Sequence, residues 1–148
     1  MNISSILTEK NIFLGLKSGS KREFLQDLAQ KAAEVCGIDA ISIFDTIMER
    51  ENLGTTGFVG GTAMPHGRFS DTDKVFAFFA KPAYAVDFDA VDNRPVDLVF
   101  LLISPESSGA DHLTALALLS RILKDDITCD KLRKMSRSTE IYALLNEA

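Results

Sequence analysis

The sequence predicts a single α/β domain in which helices cover a sheet, and three observations carry that expectation. Val75 to Ala80, VFAFFA, is short, aromatic and bounded by Lys74 and Pro82, the pattern of a strand. Val96 to Ser104, VDLVFLLIS, is nearly continuously apolar, as strands are when helices bury both faces of their sheet. Helical patterns lie on either side of these runs, and strands interleaved with helices build a layered α/β architecture. A chain of 148 residues fits one domain, 1–148, with a sizeable core.

The helices follow from caps and spacing. Ser20-Lys21-Arg22-Glu23 fits a capping box, in which the serine accepts from a free N–H and the glutamate reaches back. Phe24, Leu25, Leu28, Ala32 and Cys36 then recur at helical spacing, and Gly37 closes the segment. Asp39 is expected to cap a second helix that ends near Gly54, with Ile43, Phe44, Ile47 and Met48 inward. Beyond the second strand, Asp111 is expected to cap a helix from His112 to about Lys124. Its Leu113, Leu116, Ala117, Leu119, Ile122 and Leu123 occupy more than a narrow stripe, so the helix should be well buried. Thr128 to Met135 and Ser138 to Asn146 read as two shorter amphipathic helices.

Composition excludes several classes. The formal net charge of -5 argues against a general nucleic-acid binder, which presents a basic surface to phosphates. The N-terminus lacks the positive n-region of a secretory signal, and no apolar run approaches the length of a membrane span. Cys36 and Cys129 form neither a metal nor a redox motif. A cytoplasmic location is the resulting expectation.

The chemistry concentrates in residues 50–68. Four glycines fall between Gly54 and Gly61, and such a turn can collect backbone N–H groups into an anion-binding nest. Pro65 fixes the backbone beside His66 and holds Met64 extended, while Gly67 is expected to leave one flank of the imidazole open. Arg50, at the end of the second helix, carries a planar guanidinium matched to phosphate oxygens. The only other histidine, His112, stands at an expected helix N-terminus, where anions are favoured. No GxxxxGK[ST] motif occurs, so the pattern reads as phosphate chemistry without direct use of a nucleotide. Each feature alone has a structural explanation; the combination points to function. Two histidines without supporting spacing give no metal site, and no cofactor is expected.

The stretch ENLGTTGFVGGTAMPHGRF resembles the active-site signature of the fructose/mannitol-type enzyme IIA domains of the bacterial sugar phosphotransferase system. The resemblance extends to SKREFLQDLAQKAAE before it and to VDFDAVDNRPVDLVFLLISPE and GADHLTALALLSRIL after it, and is nearest to the nitrogen-regulatory branch. It implies a three-layer α/β/α domain with a mixed sheet, and a phosphocarrier taking its phosphoryl group from an HPr-like donor. It implies His66 as the phosphorylated residue, through Nε2, with His112 and Arg50 beside the phosphate. Gly54, Thr55, Thr56, Gly57, Gly60 and Gly61 are the implied phosphate-binding loop. Regulatory targets such as potassium-transport or sensor-kinase proteins are the implied partners, in place of a sugar transporter. One departure stands out: Val59 occupies a position where glycine is usual, and valine disfavours positive φ. Three other readings remain open from the residues: a component serving fructose- or mannitol-type sugar uptake, an unphosphorylated interaction module on the same fold, and a hydrolase built on Ser108, Asp111 and His112.

Overall fold

The computed structural model describes residues 1–147, and its centre is a mixed sheet. In chain order the described residues form β1 (Ile12–Leu16), α1 (Lys21–Cys36), α2 (Ala40–Leu53), β2 (Thr62–Ala63), β3 (His66–Phe69), β4 (Phe76–Pro82), β5 (Leu98–Pro105), α3 (Ala110–Leu123), α4 (Asp126–Lys134) and α5 (Ser138–Glu147). The strands run β1-β4-β5-β2, with β3 also on β5; β4 and β5 are antiparallel and the other pairs parallel.

Both expected strands are present, displaced by one or two residues toward the C-terminus. All eight residues of β5 are buried, as a strand covered on both faces requires. Side chains alternate across a strand, and the alternation divides the core in two. Val99, Leu101 and Ile103 join Phe78, Phe24, Leu28, Ile43 and Ile47 beneath α1 and α2. Leu98, Phe100 and Leu102 join Phe79, Leu119, Ile122, Leu132 and Ile141 beneath α3, α4 and α5. The result is the expected three-layer arrangement.

Local signals explain most helix ends. Ser20 Oγ accepts from Glu23 N–H at 3.2 Å, and the Glu23 carboxylate takes Gly19 N–H at 3.1 Å, one residue earlier than a reciprocal box would place it. Gly37 closes α1 in the left-handed region at φ 77°, and Asp39 caps α2 through Ser42 N–H. The Asp111 cap is not formed. Helix α3 starts two residues earlier, with Gly109 at the cap position, and Asp111 lies in the first turn, where its charge still suits the helix dipole. The buried stripe of α3 is also rotated from the expected one. His112, Ala115, Leu118, Leu119, Ile122 and Leu123 face inward, Leu116 is half-buried, and Leu113 is 65% exposed.

The sequence pattern did not reveal β1, β2 and β3, which are short. β2 and β3 are two parts of one edge segment: Thr62 and Ala63 pair with Leu98 and Val99, and His66 to Phe69 continue the same register against Leu102 to Pro105. Between them, Pro65 has no N–H to offer the ladder, yet its carbonyl accepts from Leu102 N–H at 3.0 Å.

The rotated stripe is testable by chemical denaturation. Leu119→Ala should cost about 2–5 kcal/mol, whereas Leu113→Ala should stay within about 0.5 kcal/mol of the wild type.

Candidate functional site

His66 opens β3 directly opposite Leu102, so its side chain falls on the α3 face of the sheet. The neighbouring Met64 directs its backbone groups away from β5. Its N–H donates to Thr56 O at 3.3 Å, and its carbonyl lies 2.8 Å from His66 Nδ1. A carbonyl has no hydrogen to give, so Nδ1 must carry the proton and donate. Nε2 is then left with its lone pair.

His112, in the first turn of α3, lies beside it with ring centroids 5.7 Å apart and planes inclined at 53°. Its Nδ1 is 2.7 Å from Ser104 Oγ, and Ser104 is fully buried. His112 is itself only 5% exposed. Burial, reinforced by the positive charge of Arg68 and by His66, pulls its pKa down to about 4, so the ring is neutral near pH 7. Arg68 pairs in register with Ser104, which sets Arg68 on the same face as His66.

A cavity of about 300 Å³ adjoins His66, lined among others by Arg50, Thr55, Thr56, Phe58, Met64 and Lys124. The structure thus brings Arg50, Thr55, Thr56 and His66 to one cavity, with His112 against the His66 ring. Arg50 donates from its guanidinium to Gly54 O at 2.7 Å, closing the loop onto the end of α2.

Several N–H groups of the loop expected to form the nest already have internal acceptors. Thr56 N–H goes to Glu51, Gly57 N–H to Thr55 Oγ1, Phe58 N–H to Thr62 O and Gly60 N–H to Asp92. Gly60 and Gly61, both expected as phosphate ligands, make the loop's turn at φ 85° and 78°, and Arg133 braces it by donating to Gly60 O while paired with Asp97. Val59 is exposed and is not among the positive-φ residues, so the departure from glycine costs the loop no strain. Gly67 faces α2, where a Cβ would come within 2.8 Å of Thr46 Cγ2. Close helix packing, not access to the imidazole, requires glycine there.

Residues outside the expected set complete the site. Glu51, its side chain almost fully buried, binds Lys21 Nζ at 2.9 Å and both the N–H and the hydroxyl of Thr56. Ser104 and Arg68 were legible only once the register of β3 on β5 was known. The Ser108 hydroxyl is buried without a hydrogen-bond partner, and His112 turns to Ser104 instead, so no Ser108–His112 pair exists for a hydrolase.

The family model described as "Phosphoenolpyruvate-dependent sugar phosphotransferase system, EIIA 2" matches residues 5–148. The chain belongs to this family. It is 43% identical over 145 residues to a nitrogen regulatory protein of Bradyrhizobium diazoefficiens, covering 98% of this chain and 95% of that protein. It is 31% identical to a nitrogen regulatory protein of Escherichia coli strain K12, covering 99% and 91%. Among solved structures, the nitrogen regulatory protein IIA-Ntr of Neisseria meningitidis superposes with a TM-score of 0.90 at 30% identity, over 97% of this chain and 98% of that one. The mannitol IIA of Escherichia coli shares the fold at a TM-score of 0.76 and 22% identity, over 93% and 97%. The EIIA 2 fold thus accounts for the three layers and the mixed sheet, and among the described residues no helix is long and apolar enough to cross a membrane.

Two outcomes follow from this geometry. Above pH 6.5 His112 is neutral both folded and unfolded; as pH falls from 6.5 to about 4 the unfolded chain takes up a proton that the folded site refuses. Stability should therefore drop across that window by up to about 3 kcal/mol. The drop should be absent from His112→Asn when denaturation midpoints are compared across pH. Glu51→Ala, which strands Lys21, should cost about 3–5 kcal/mol by chemical denaturation.

Proposed function

We propose that this EIIA 2 protein is a regulatory phosphocarrier, a single domain over 1–148 acting in the cytoplasm. In this reading His66 Nε2 accepts a phosphoryl group from a phosphohistidine on an HPr-like carrier. The observation that carries it is the Met64 carbonyl 2.8 Å from His66 Nδ1, which reserves the Nε2 lone pair for attack. A bond forms from Nε2 to phosphorus, the donor's N–P bond breaks in line, and its electron pair returns to the donor ring nitrogen. The phosphoryl group passes through a loose, charge-rich transition state, so position and electrostatics carry the catalysis.

Arg50 lines the cavity beside His66 and supplies charge-assisted hydrogen bonds to the phosphoryl oxygens. His112, being neutral, contributes a hydrogen bond and not a charge. Thr55 and Thr56 line the same cavity; Gly54 and Gly57 shape the loop that carries them. Both phosphoryl states are phosphohistidines, so the exchange calls for no metal and no cofactor.

Phosphorylation adds roughly -1.5 to -2 charges to one surface, on the analogy of other phosphorylated side chains. Partners docking over His66 then read its state by attraction or repulsion. Full-length similarity to nitrogen regulatory proteins favours regulatory targets, of which potassium-transport and sensor-kinase proteins are examples, over a sugar transporter. The interaction-module reading rested on Val59, and an unstrained Val59 removes that support.

Incubation with phosphoenolpyruvate, enzyme I and the HPr-like carrier should yield one acid-labile phosphate, absent from His66→Ala. Arg50→Ala should accept phosphate on the order of 10²-fold more slowly with an unchanged denaturation midpoint. Absence of label on the wild type with an active donor would refute the proposal.

A further inference from the structure

Ser104 is the last α3-facing residue of β5 before Pro105, at the end of the apolar series Leu98, Phe100 and Leu102. A serine in that series has no packing rationale: it is fully buried, and the positions before it are filled by larger apolar side chains. Among the described residues its hydroxyl has one partner, His112 Nδ1 at 2.7 Å. A buried hydroxyl must place its hydrogen somewhere, and the neutral imidazole offers a single acceptor nitrogen. If Nδ1 were protonated and donated to Oγ, the Ser104 hydrogen would be left without an acceptor in the core. Donation from Ser104 to Nδ1 satisfies both groups.

We propose that Ser104 is a positioning residue that fixes His112 in the tautomer bearing its proton on Nε2, making the ring a hydrogen-bond donor beside His66. The two histidines then hold opposite tautomers for opposite tasks. His66 is protonated on Nδ1 by the pull of the Met64 carbonyl and offers a lone pair at Nε2. His112 accepts the Ser104 hydroxyl's hydrogen bond on an unprotonated Nδ1 and offers a proton at Nε2, its ring centre 5.7 Å from that of His66. One neighbour without hydrogens and one with a hydrogen suffice to set them apart. Ser104 touches no reacting atom in this scheme; it acts through His112. The kinetic consequence rests on the proposed phosphoryl acceptance at His66, whereas the tautomeric consequence does not.

Long-range proton–nitrogen correlation spectra of the full chain, with only two histidines to assign, read the tautomers directly. The wild type should show His112 with a pyrrole-like Nε2 and a pyridine-like Nδ1, and His66 with the reverse. Ser104→Ala should leave His66 unchanged and give His112 a mixture of tautomers, and Ser104→Thr, which retains the hydroxyl, should restore one. A wild-type His112 protonated on Nδ1, or a Ser104→Ala spectrum identical to the wild type, would overturn the assignment. In single-turnover transfer Ser104→Ala should slow phosphoryl acceptance roughly tenfold at saturating carrier, with the carrier's KM unchanged. Combined with His112→Ala, it should add no further loss; additive losses would mean that Ser104 acts independently of the ring. If the wild type accepts no phosphate at all, the phosphocarrier reading fails, and the spectra alone decide the role of Ser104.

Discussion

The site depends on one constraint, the parallel register of residues 62–69 against β5. Alternation along β5 sends Leu98, Phe100, Leu102 and Ser104 toward α3 and Val99, Leu101 and Ile103 toward α1 and α2. His66 lies opposite Leu102 and Arg68 opposite Ser104, so both inherit the α3 face. Gly67, opposite Ile103, meets α2 so closely that a Cβ would collide with Thr46. A slip of one residue would press His66 or Arg68 into α2 and turn the imidazole away from His112. Packing on one face of the edge strand thereby secures the chemistry on the other.

The loop before that strand is held by charges that do not line the cavity. Buried Glu51 binds Lys21 from α1 and both donors of Thr56, joining the end of α2 to the start of α1. Asp92 takes the amide of Gly60, and Arg133 of α4 bridges Asp97 and the carbonyl of Gly60. The amides of Thr56, Gly57, Phe58 and Gly60 are thus spent on rigidity. Cationic side chains surround the same region, Arg50 and Lys124 at the cavity and Arg68 on the same sheet face as His66. A net charge of -5 over the whole chain coexists with this locally positive setting, which is the arrangement that steers an anionic group to one place.

Much of the scaffold was legible in the sequence because its signals are local. The Ser20 cap, the Asp39 cap and the αL glycine at 37 act within one helical turn, and the apolar run of β5 needs only its own residues to be read. The two-residue β2 and four-residue β3 are too short to show a period, and they form because β5 and α2 hold them. The Asp111 cap failed for a related reason. Gly109 reaches φ 57° at the cap position, so α3 starts two residues early, and the face it buries carries His112 while Leu113 is exposed. In the site, His66, Arg50, Thr55 and Thr56 were visible as a cluster in sequence, whereas Glu51, Ser104 and Arg68 gain meaning only through long-range partners. Asp92 and Glu51, which take the amides of Gly60 and Thr56, do not announce themselves as loop acceptors in the sequence.

Burying His112 as a neutral ring suits the proposed exchange better than a cation would. Donor and acceptor are both phosphohistidines, so the two states lie close in energy and the group must leave as readily as it arrives. A fixed positive charge against His66 would favour the phosphorylated ground state together with the transition state, and uniform stabilisation of that kind deepens the well without speeding escape. In the proposed exchange a neutral donor held by Ser104 would strengthen its hydrogen bond as charge spreads onto the equatorial oxygens and relax once transfer is complete. Arg50, tethered to Gly54 O and partly exposed at the cavity, would meet the phosphoryl oxygens in the proposed exchange where solvent screens its charge. The division between a screened cation at the cavity and a neutral donor beneath it follows from the burial of His112, and through Ser104 it returns to the alternation along β5.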